Sequence, residues 1–337
     1  MSRETTALVL REINGPFALE NIKVDSLRPN ELLVEIHATG ICHTDLSCAT
    51  GILPAQVPAV FGHEGAGVVV GTGSGIIDVT KGEKRSDGTS ALAFQDGSKL
   101  HGHFFGQSSF SRLAVVNRNS LVKVPQDVPL ALFAPMGCGL QTGAGAILNS
   151  LDVQPGSTVA IFGVGSVGLS AVMAARIRQA KEIIAVDLQA NRLELAKELG
   201  ATKTINSTEV DVIEEIKKVC TPNGVQFALD CSGVLKVIEM MIESLGTRGR
   251  ACSVGAPSPG KRASVDVFSH LVMGREYIGS HQGGSTSQEM ALYLIDQYKK
   301  GHYPLEKIIV QYDIKDFEKA MKDTKEGRAV KAVLTWK

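Results

Sequence analysis

Apolar and polar positions fall into two textures along this chain. Through the first third, short alternating runs rich in Val and Gly dominate, and ELLVEIHATGIC and GAGVVVGTGSG read as β-strands closed by glycine turns, as in a small barrel. No helical periodicity longer than a few turns occurs there. The texture changes near LNSLDVQPGSTVAIFG. From that point strand-length apolar runs alternate with amphipathic stretches: VAIFG, SVGLSAVMAARIRQA, EIIAVD, ANRLELAKELG. Such alternation predicts βαβ units on a parallel sheet, because each apolar strand needs a helix to cover it. Further strands are predicted at FALDCSG, ACSVGAP and EYIGSH, and SQEMALYLIDQYKKG predicts a long amphipathic helix with apolar Met290, Leu292, Leu294 and Ile295. KIIVQYDI and KAVLTWK return to strand texture around a short helix, DFEKAMKD. There is no internal repeat and no low-complexity tract.

A length of 337 residues allows two domains and a substantial core. Lys+Arg and Asp+Glu are both 35, so no basic field exists to hold nucleic acid or an anionic membrane. The opening MSRETTALVLREING lacks the apolar run of a signal peptide, and no stretch is apolar for long enough to cross a bilayer. Six cysteines at 42, 48, 138, 220, 231 and 252 include no Cys-x-x-Cys pair, which fits free thiols in a reducing compartment and a cytoplasmic address.

The sharpest motif is Gly163-Val-Gly165-Ser-Val167-Gly168, which follows the strand TVAIF and opens a helix. Gly163 permits the tight turn, Gly165 admits a pyrophosphate to the backbone, and Gly168 lets helix and strand pack closely. The helix N-terminus offers free N–H groups and a positive dipole end. The next strand ends in Asp187, placed to accept from the adenosine ribose hydroxyls and to repel a 2′-phosphate. A bare glycine motif is weak evidence. With strand, helix and acid all in place it marks a Rossmann unit that prefers NAD over NADP. Arg192, a helical turn further on, is a second candidate for the same ribose, although a lone helical arginine is more often solvated.

Three separated Gly-rich segments carry ligand-type residues: Gly40-Ile-Cys42-His43-Thr44-Asp45, Gly62-His63-Glu64-Gly65 and Met136-Gly137-Cys138-Gly139. Two thiolates and an imidazole make a soft set that suits zinc with one position open. By spacing alone the set is weak, because a cysteine is more often a small buried hydrophobe.

CHTDLS, PAVFGHEGAGVV, APMGCGLQTGAGA and the Rossmann segment together resemble the zinc-dependent medium-chain alcohol dehydrogenases over nearly the whole chain. HGHFFGQSSFSRLAVV looks most like the aryl-alcohol (benzyl-alcohol type) branch. The resemblance implies an α/β protein: a β-rich GroES-like catalytic domain at 1–145, a Rossmann NAD-binding domain at 146–285, and a C-terminal return to the first domain at 286–337. It implies that Cys42, His63 and Cys138 hold a catalytic zinc, with Asp45 and Glu64 behind them and Asp45 orienting the His63 ring. Thr44 matches the hydroxyl that takes the alcohol proton. His43 and Lys331 match positions that approach the cofactor pyrophosphate, and Phe104 and Phe105 fall where the family lines its substrate cleft. A Phe pair is as often simply core. His101 and His103 would share one face of a strand and could in principle bind metal, but the family match makes them ordinary parts of the catalytic domain. Cys48, Cys220, Cys231 and Cys252 read as packing thiols.

The implied chemistry is oxidation of a primary, aromatic or related alcohol to its aldehyde, or the reverse. Zinc lowers the pKa of bound water from about 16 to about 7, which is roughly 12 kcal/mol and an upper guide to its effect on an alcohol. Many relatives end the proton relay on a His three residues past the hydroxyl. Ser47 stands there in this chain, leaving His43, the cofactor ribose or water for the last transfer. The chain also departs from the family between VTKGEK and RSDGTSALAF, where the four-cysteine lobe of the structural zinc should lie: Lys84 runs straight into Arg85, and no cysteine separates Cys48 from Cys138. One catalytic zinc and no structural zinc are therefore expected. The join also removes the strand leading into the lobe, and it is either a natural lobe-free variant or a missing segment, the second slightly favoured. Competing readings are a zinc-free enone or quinone reductase on the same fold, and a non-catalytic nucleotide-binding protein. The expected partners are small alcohols or aldehydes and further copies of the chain, as homodimer or homotetramer, with neither nucleic acid nor membrane.

Overall fold

The computed structural model describes residues 2–74, 85, 89–220 and 224–336. It divides into two compact units, Met1–Gly137 with Leu305–Lys337, and Cys138–Pro304. The resemblance puts these boundaries at 145/146 and 285/286.

The first unit carries β1 (Arg3–Leu10), β2 (Phe17–Val24), β3 (Glu31–Gly40), β4 (Ala59–Val60), β5 (Gly65–Thr72), β6 (Leu92–Phe94), β7 (Lys99–Leu100) and β8 (Leu113–Asn117). They form one sheet ordered β4-β1-β2-β6-β7 and contribute to a second built around β3. Positions of the first sheet, among them Leu8, Leu10, Ile22 and Leu100, are fully buried, as is Phe110 before β8. Phe17 meets Phe61 and Phe110 edge-on at 6.0 and 6.2 Å. Alternation on β3 is incomplete because both faces of that strand are covered, as expected at the centre of a folded sheet.

β5 differs. Among the described residues it pairs only with β3, and Val68, Val69 and Val70 are 49, 46 and 40 % exposed. Consecutive valines open to solvent mean that neither face of this strand is covered there. Lys84, on one side of the join, lies outside the described residues. Arg85, on the other, is buried and bonds Glu31 through two nitrogens at 2.7 and 2.9 Å, Asp25 at 2.6 Å and the Ser26 carbonyl at 3.0 Å. A guanidinium taken out of water is tolerated only with its donors satisfied in this way.

The second unit contains β9 (Thr158–Phe162), β10 (Glu182–Asp187), β11 (Lys203–Asn206), β12 (Val225–Asp230), β13 (Leu245–Ser253) and β14 (Glu276–Gly279), all paired in parallel in the order β11-β10-β9-β12-β13-β14. This is the Rossmann order, with its switch point between β9 and β12. Two β-strands, β15 (Ile309–Asp313) and β16 (Lys331–Thr335), return to the first unit, where β16 pairs antiparallel with β3 and Ala332 and Leu334 join the core.

Helices are α1 (His43–Ala49), α2 (Leu130–Phe133), α3 (Gly139–Gly145), α4 (Ser166–Ile177), α5 (Ala190–Leu199), α6 (Val212–Val219), α7 (Leu235–Glu243), α8 (Val267–Met273), α9 (Ser287–Lys299) and α10 (Phe317–Lys325). Asp211, Asp266 and Thr286 cap α6, α8 and α9 by accepting N–H groups of the first turn. The helix α9 buries Met290, Leu294 and Ile295, but Leu292 is 47 % exposed, a correction to the apolar stripe read from the sequence. At 100° per residue, position 292 points away from the stripe shared by 290 and 294. The helix also belongs to the second unit rather than to the C-terminal return, and beyond it Tyr303 is buried with its hydroxyl 2.5 Å from that of Ser170 on α4. Among the described residues no single helix is long and apolar enough to cross a membrane.

Candidate active site and cofactor site

Asp45 organises the first unit's ligand residues. Its fully buried carboxylate accepts the Cys42 N–H at 2.9 Å, the Gly62 N–H at 3.1 Å and the His63 ring at Nδ1, 3.1 Å away. One side chain thus ties the turn before α1 to the segment between β4 and β5. A carboxylate can only accept, so the proton sits on Nδ1 and Nε2 is left as a ligand atom. Burial opposes charge on His63, but Asp45 and then Cys42 outweigh it and push the imidazole up to about 11.

Cys42, His63, Glu64 and Cys138 place one donor atom each within 4.8 Å of one another. Cys138 opens the second unit, one peptide bond beyond Gly137, the last residue of a 3-10 turn packed on β3 and β5. Tetrahedral zinc with Zn–S near 2.3 Å and Zn–N near 2.0 Å needs donors about 3.5–3.8 Å apart, which this cluster accommodates. Glu64 is the fourth donor by position. A Cβ on Gly40 would lie 2.0 Å from its Oε2, so only glycine leaves room for this carboxylate. Burial pushes the Glu64 carboxyl up to about 7, against the pull of the Lys331 ammonium.

Lys331, which the resemblance sends to the cofactor pyrophosphate, has its Nζ buried on β16, 2.7 and 2.6 Å from the two Glu64 oxygens and 3.0 Å from the Ile41 carbonyl. A buried ammonium goes to the nearest carboxylate.

The Thr44 hydroxyl lies 3.6 Å from Cys42 Sγ in the first turn of α1. His43 is exposed on the same turn, whereas Ser47 is 8 % exposed. Phe104 and Phe105 flank His63, with ring centroids 5.8 and 5.0 Å from that of its imidazole. His101 and His103 do not share a strand face: His101 bridges Ala59, and His103 is buried with a left-handed backbone, φ 60°. Burial keeps the His103 ring below its ordinary pKa. Cys48, Cys220 and Cys252 are buried packing residues.

In the second unit Gly163 turns the chain after β9 with φ 84°. A Cβ on Gly168 would sit 2.0 Å from the Gly163 carbonyl, which accounts for glycine at the close approach of α4 to its own loop. Nothing lies within 4 Å of a Cβ built on Gly165, leaving the backbone open on the side a diphosphate would approach. Val167 stands in the first turn of α4, its carbonyl close against Gly143 of α3. Asp187 accepts the Val164 N–H at 2.8 Å and those of Leu188 and Gln189 at 2.8 and 2.9 Å, so the residue proposed for the ribose also shapes the glycine loop. Arg192 is buried rather than solvated. Sequence reasoning missed Asp230, which ends β12, is fully buried and holds Ser232 and Gly233 beside the loop. Its signal was available: FALDCSG repeats the strand-then-acid pattern of EIIAVD.

The zinc-binding dehydrogenase profile matches residues 166–297, and that of the alcohol dehydrogenase GroES-like domain matches 28–126. This chain belongs to the zinc-binding alcohol dehydrogenases. The dehydrogenase is 33 % identical to geraniol dehydrogenase of Castellaniella defragrans across 98 % of this chain and 97 % of that one. Among solved structures, an alcohol dehydrogenase zinc-binding domain protein from Burkholderia ambifaria superposes with TM-score 0.95 at 39 % identity, covering 99 % of each chain. Benzyl alcohol dehydrogenase of Acinetobacter calcoaceticus superposes with TM-score 0.91 at 34 % identity, covering 99 % of this chain and 100 % of that one. The dehydrogenase is accordingly an oxidoreductase of medium-chain type, with a GroES-like and a Rossmann domain.

Proposed function

We propose that this dehydrogenase oxidises primary aromatic or related alcohols to aldehydes with NAD, or runs the reverse reaction, at a single catalytic zinc. The observation that carries the reading is the convergence of Cys42, His63 and Cys138 donors with two phenyl rings flanking the histidine. The names of the benzyl alcohol and geraniol dehydrogenases support the substrate class. When bound, zinc supplies Lewis-acid polarisation of an alcohol oxygen, and the nicotinamide supplies a hydride acceptor. Asp45 keeps His63 in the tautomer that binds metal. Thr44 receives the alcohol proton, and His43 passes it outward. Phe104 and Phe105 give a ring-bearing substrate an apolar wall. A zinc-free enone reductase has no use for the ligand set, and a non-catalytic nucleotide binder none for Thr44 and Asp45. Screening alcohols by NADH absorbance on zinc-loaded protein tests the proposal; no turnover of benzyl alcohol or its relatives would overturn it.

The metal count follows from the donors. Purified protein is expected to hold about one zinc per chain, because one complete ligand set exists and no cysteine lies between Cys48 and Cys138. The alignment with the Castellaniella enzyme runs to 364 positions, more than this chain has residues, which supports a shortened lobe. Elemental analysis giving two tightly held zincs would refute the single site.

Asp187 is expected to favour NAD. In Asp187→Asn the charge goes and one of the two accepting oxygens becomes an amide NH2, the other still serving the Val164 N–H or those of Leu188 and Gln189, so the NAD/NADP ratio of kcat/KM should fall about 10–100-fold, as for loss of a charge-assisted hydrogen bond. An unchanged ratio would take Asp187 out of cofactor choice.

We further propose self-association through the second unit. Val267, Phe268, Leu271 and Val272 of α8 are 60–76 % exposed beside the sheet-edge strand β14 with its half-open Tyr277. An apolar cluster of this kind on an otherwise charged surface supports a subunit contact.

A further inference from the structure

The segment His103–Ser108 carries a concentration of backbone strain. His103, Phe105, Gly106 and Ser108 have φ of 60°, 47°, 77° and 58°, in the left-handed region that L side chains rarely adopt. A bulky aromatic residue there persists only where its surroundings over-determine it, and such strain gathers at ligand sites.

What over-determines it is a set of hydrogen bonds to residues 60–65, the segment that carries His63. Ser108 Oγ accepts the Phe104 N–H at 2.9 Å and donates to the Val60 carbonyl at 2.7 Å. Gln107 Oε1 accepts the Gly65 N–H at 3.2 Å. The Ser109 and Phe110 N–H groups donate to the Gly62 and Phe61 carbonyls at 2.9 and 3.0 Å. The outcome is a fixed wall: Phe104 stacks on Phe61 at 4.6 Å, and Phe105 meets Phe104 edge-on at 4.8 Å while lying 5.0 Å from His63. Ser108 is 2 % exposed, so water cannot readily replace its hydroxyl.

We propose that Ser108 is the positioning residue that locks the Phe104–Phe105 wall against His63 and thereby sets the preference for ring-bearing alcohols. The preference rests on the zinc alcohol dehydrogenase activity proposed above; the placement of the wall does not. Without the Ser108 hydroxyl, the Phe104 N–H and Val60 carbonyl lose their shared partner, the strained turn relaxes, and Phe105 leaves the histidine. The zinc ligands and Thr44 bond elsewhere and stay in place.

The test uses the zinc-loaded protein and two measurements. In the first, kcat/KM is measured for benzyl alcohol and butan-1-ol in wild type, Ser108→Ala, Phe105→Ala and the double variant. The benzyl-over-butyl ratio should fall about ten-fold in each single variant, through KM rather than kcat, and no further in the double variant, since coupled residues are not additive. A merely structural role for Ser108 would lower both substrates together and add to the loss from Phe105. In the second, the ring protons of His63 are followed by NMR. The Phe105 part of their ring-current shift should be lost in Phe105→Ala, leaving that of Phe104, and the shifts should move the same way in Ser108→Ala at unchanged zinc content. An unaltered ratio or unaltered His63 shifts in Ser108→Ala would overturn the proposal. Turnover of neither alcohol by the wild type would overturn the alcohol dehydrogenase activity and the preference with it, and the histidine shifts would then decide the placement alone.

Discussion

Replacing Thr44 with Val should slow alcohol oxidation by about 10²–10⁴-fold while zinc content and NAD affinity stay at the wild-type level, the range typical for removing a positioned proton acceptor. The substitution is close to isosteric, and Thr44 sits in the first turn of α1, only partly buried, so the helix should fold normally. Its hydroxyl lies 3.6 Å from the sulfur of Cys42, within reach of an oxygen bound where the ligand atoms converge. The loss should appear in kcat and kcat/KM alike, because the proton moves only as the reaction proceeds. Single-turnover kinetics beside a metal assay will check this. A rate within two-fold of wild type, with the metal retained, would remove Thr44 from the reaction.

The second large effect concerns stability at the join. Inserting a relative's lobe and leading strand after Lys84 should raise the melting temperature of the first unit by about 5–10 °C. The basis is β5: Val68, Val69 and Val70 are each about half exposed. Full burial of a Val side chain is worth about 1.5–2 kcal/mol, so finishing the cover of three gives about 3 kcal/mol, and each kcal/mol moves a unit of this size by about 2–4 °C. Arg85 works in the opposite sense, because its bonds to Glu31 and Asp25 already anchor the shortened chain to the sheet. Calorimetry on both chains will separate the two contributions. Equal melting would mean that the short join is a finished structure and that the exposed valines cost nothing.

Legibility in the sequence followed the range of the interactions. The Rossmann half was readable because its forces are local: strand-length apolar runs, amphipathic helices and one glycine turn recur in order, and β9, α4, β10 and α5 lie where the pattern puts them. The first unit was read mainly through motifs, since the pairings that close its first sheet, β2 with β6 and β1 with β4, bridge long sequence gaps. Cys42, His63 and Cys138 were visible as residue types in glycine-rich turns, yet spacing could not show that Asp45 binds two separate backbone segments at once. The pairing of Lys331 with Glu64 was hidden for a related reason: the two lie 267 residues apart in the chain. Ser108 escaped notice because a serine after Gly-Gln announces nothing until its two hydrogen bonds are seen.

Asp45 has one more consequence, for the choice among competing ions. Hydrogen bonds to its carboxylate set the spacing of Cys42 and His63, so the protein scaffold dictates the shape of the cage and an ion must conform to it. In an adaptable site, divalent first-row metals sort by intrinsic affinity and copper displaces zinc. A cage with fixed edges resists that order, because the tetragonal preference of Cu(II) has to be bent to a shape that zinc accepts without penalty. Two sulfurs among the donors turn away magnesium and calcium on chemical grounds. One buried carboxylate outside the four-residue cluster would thus act as a gauge against the wrong metal.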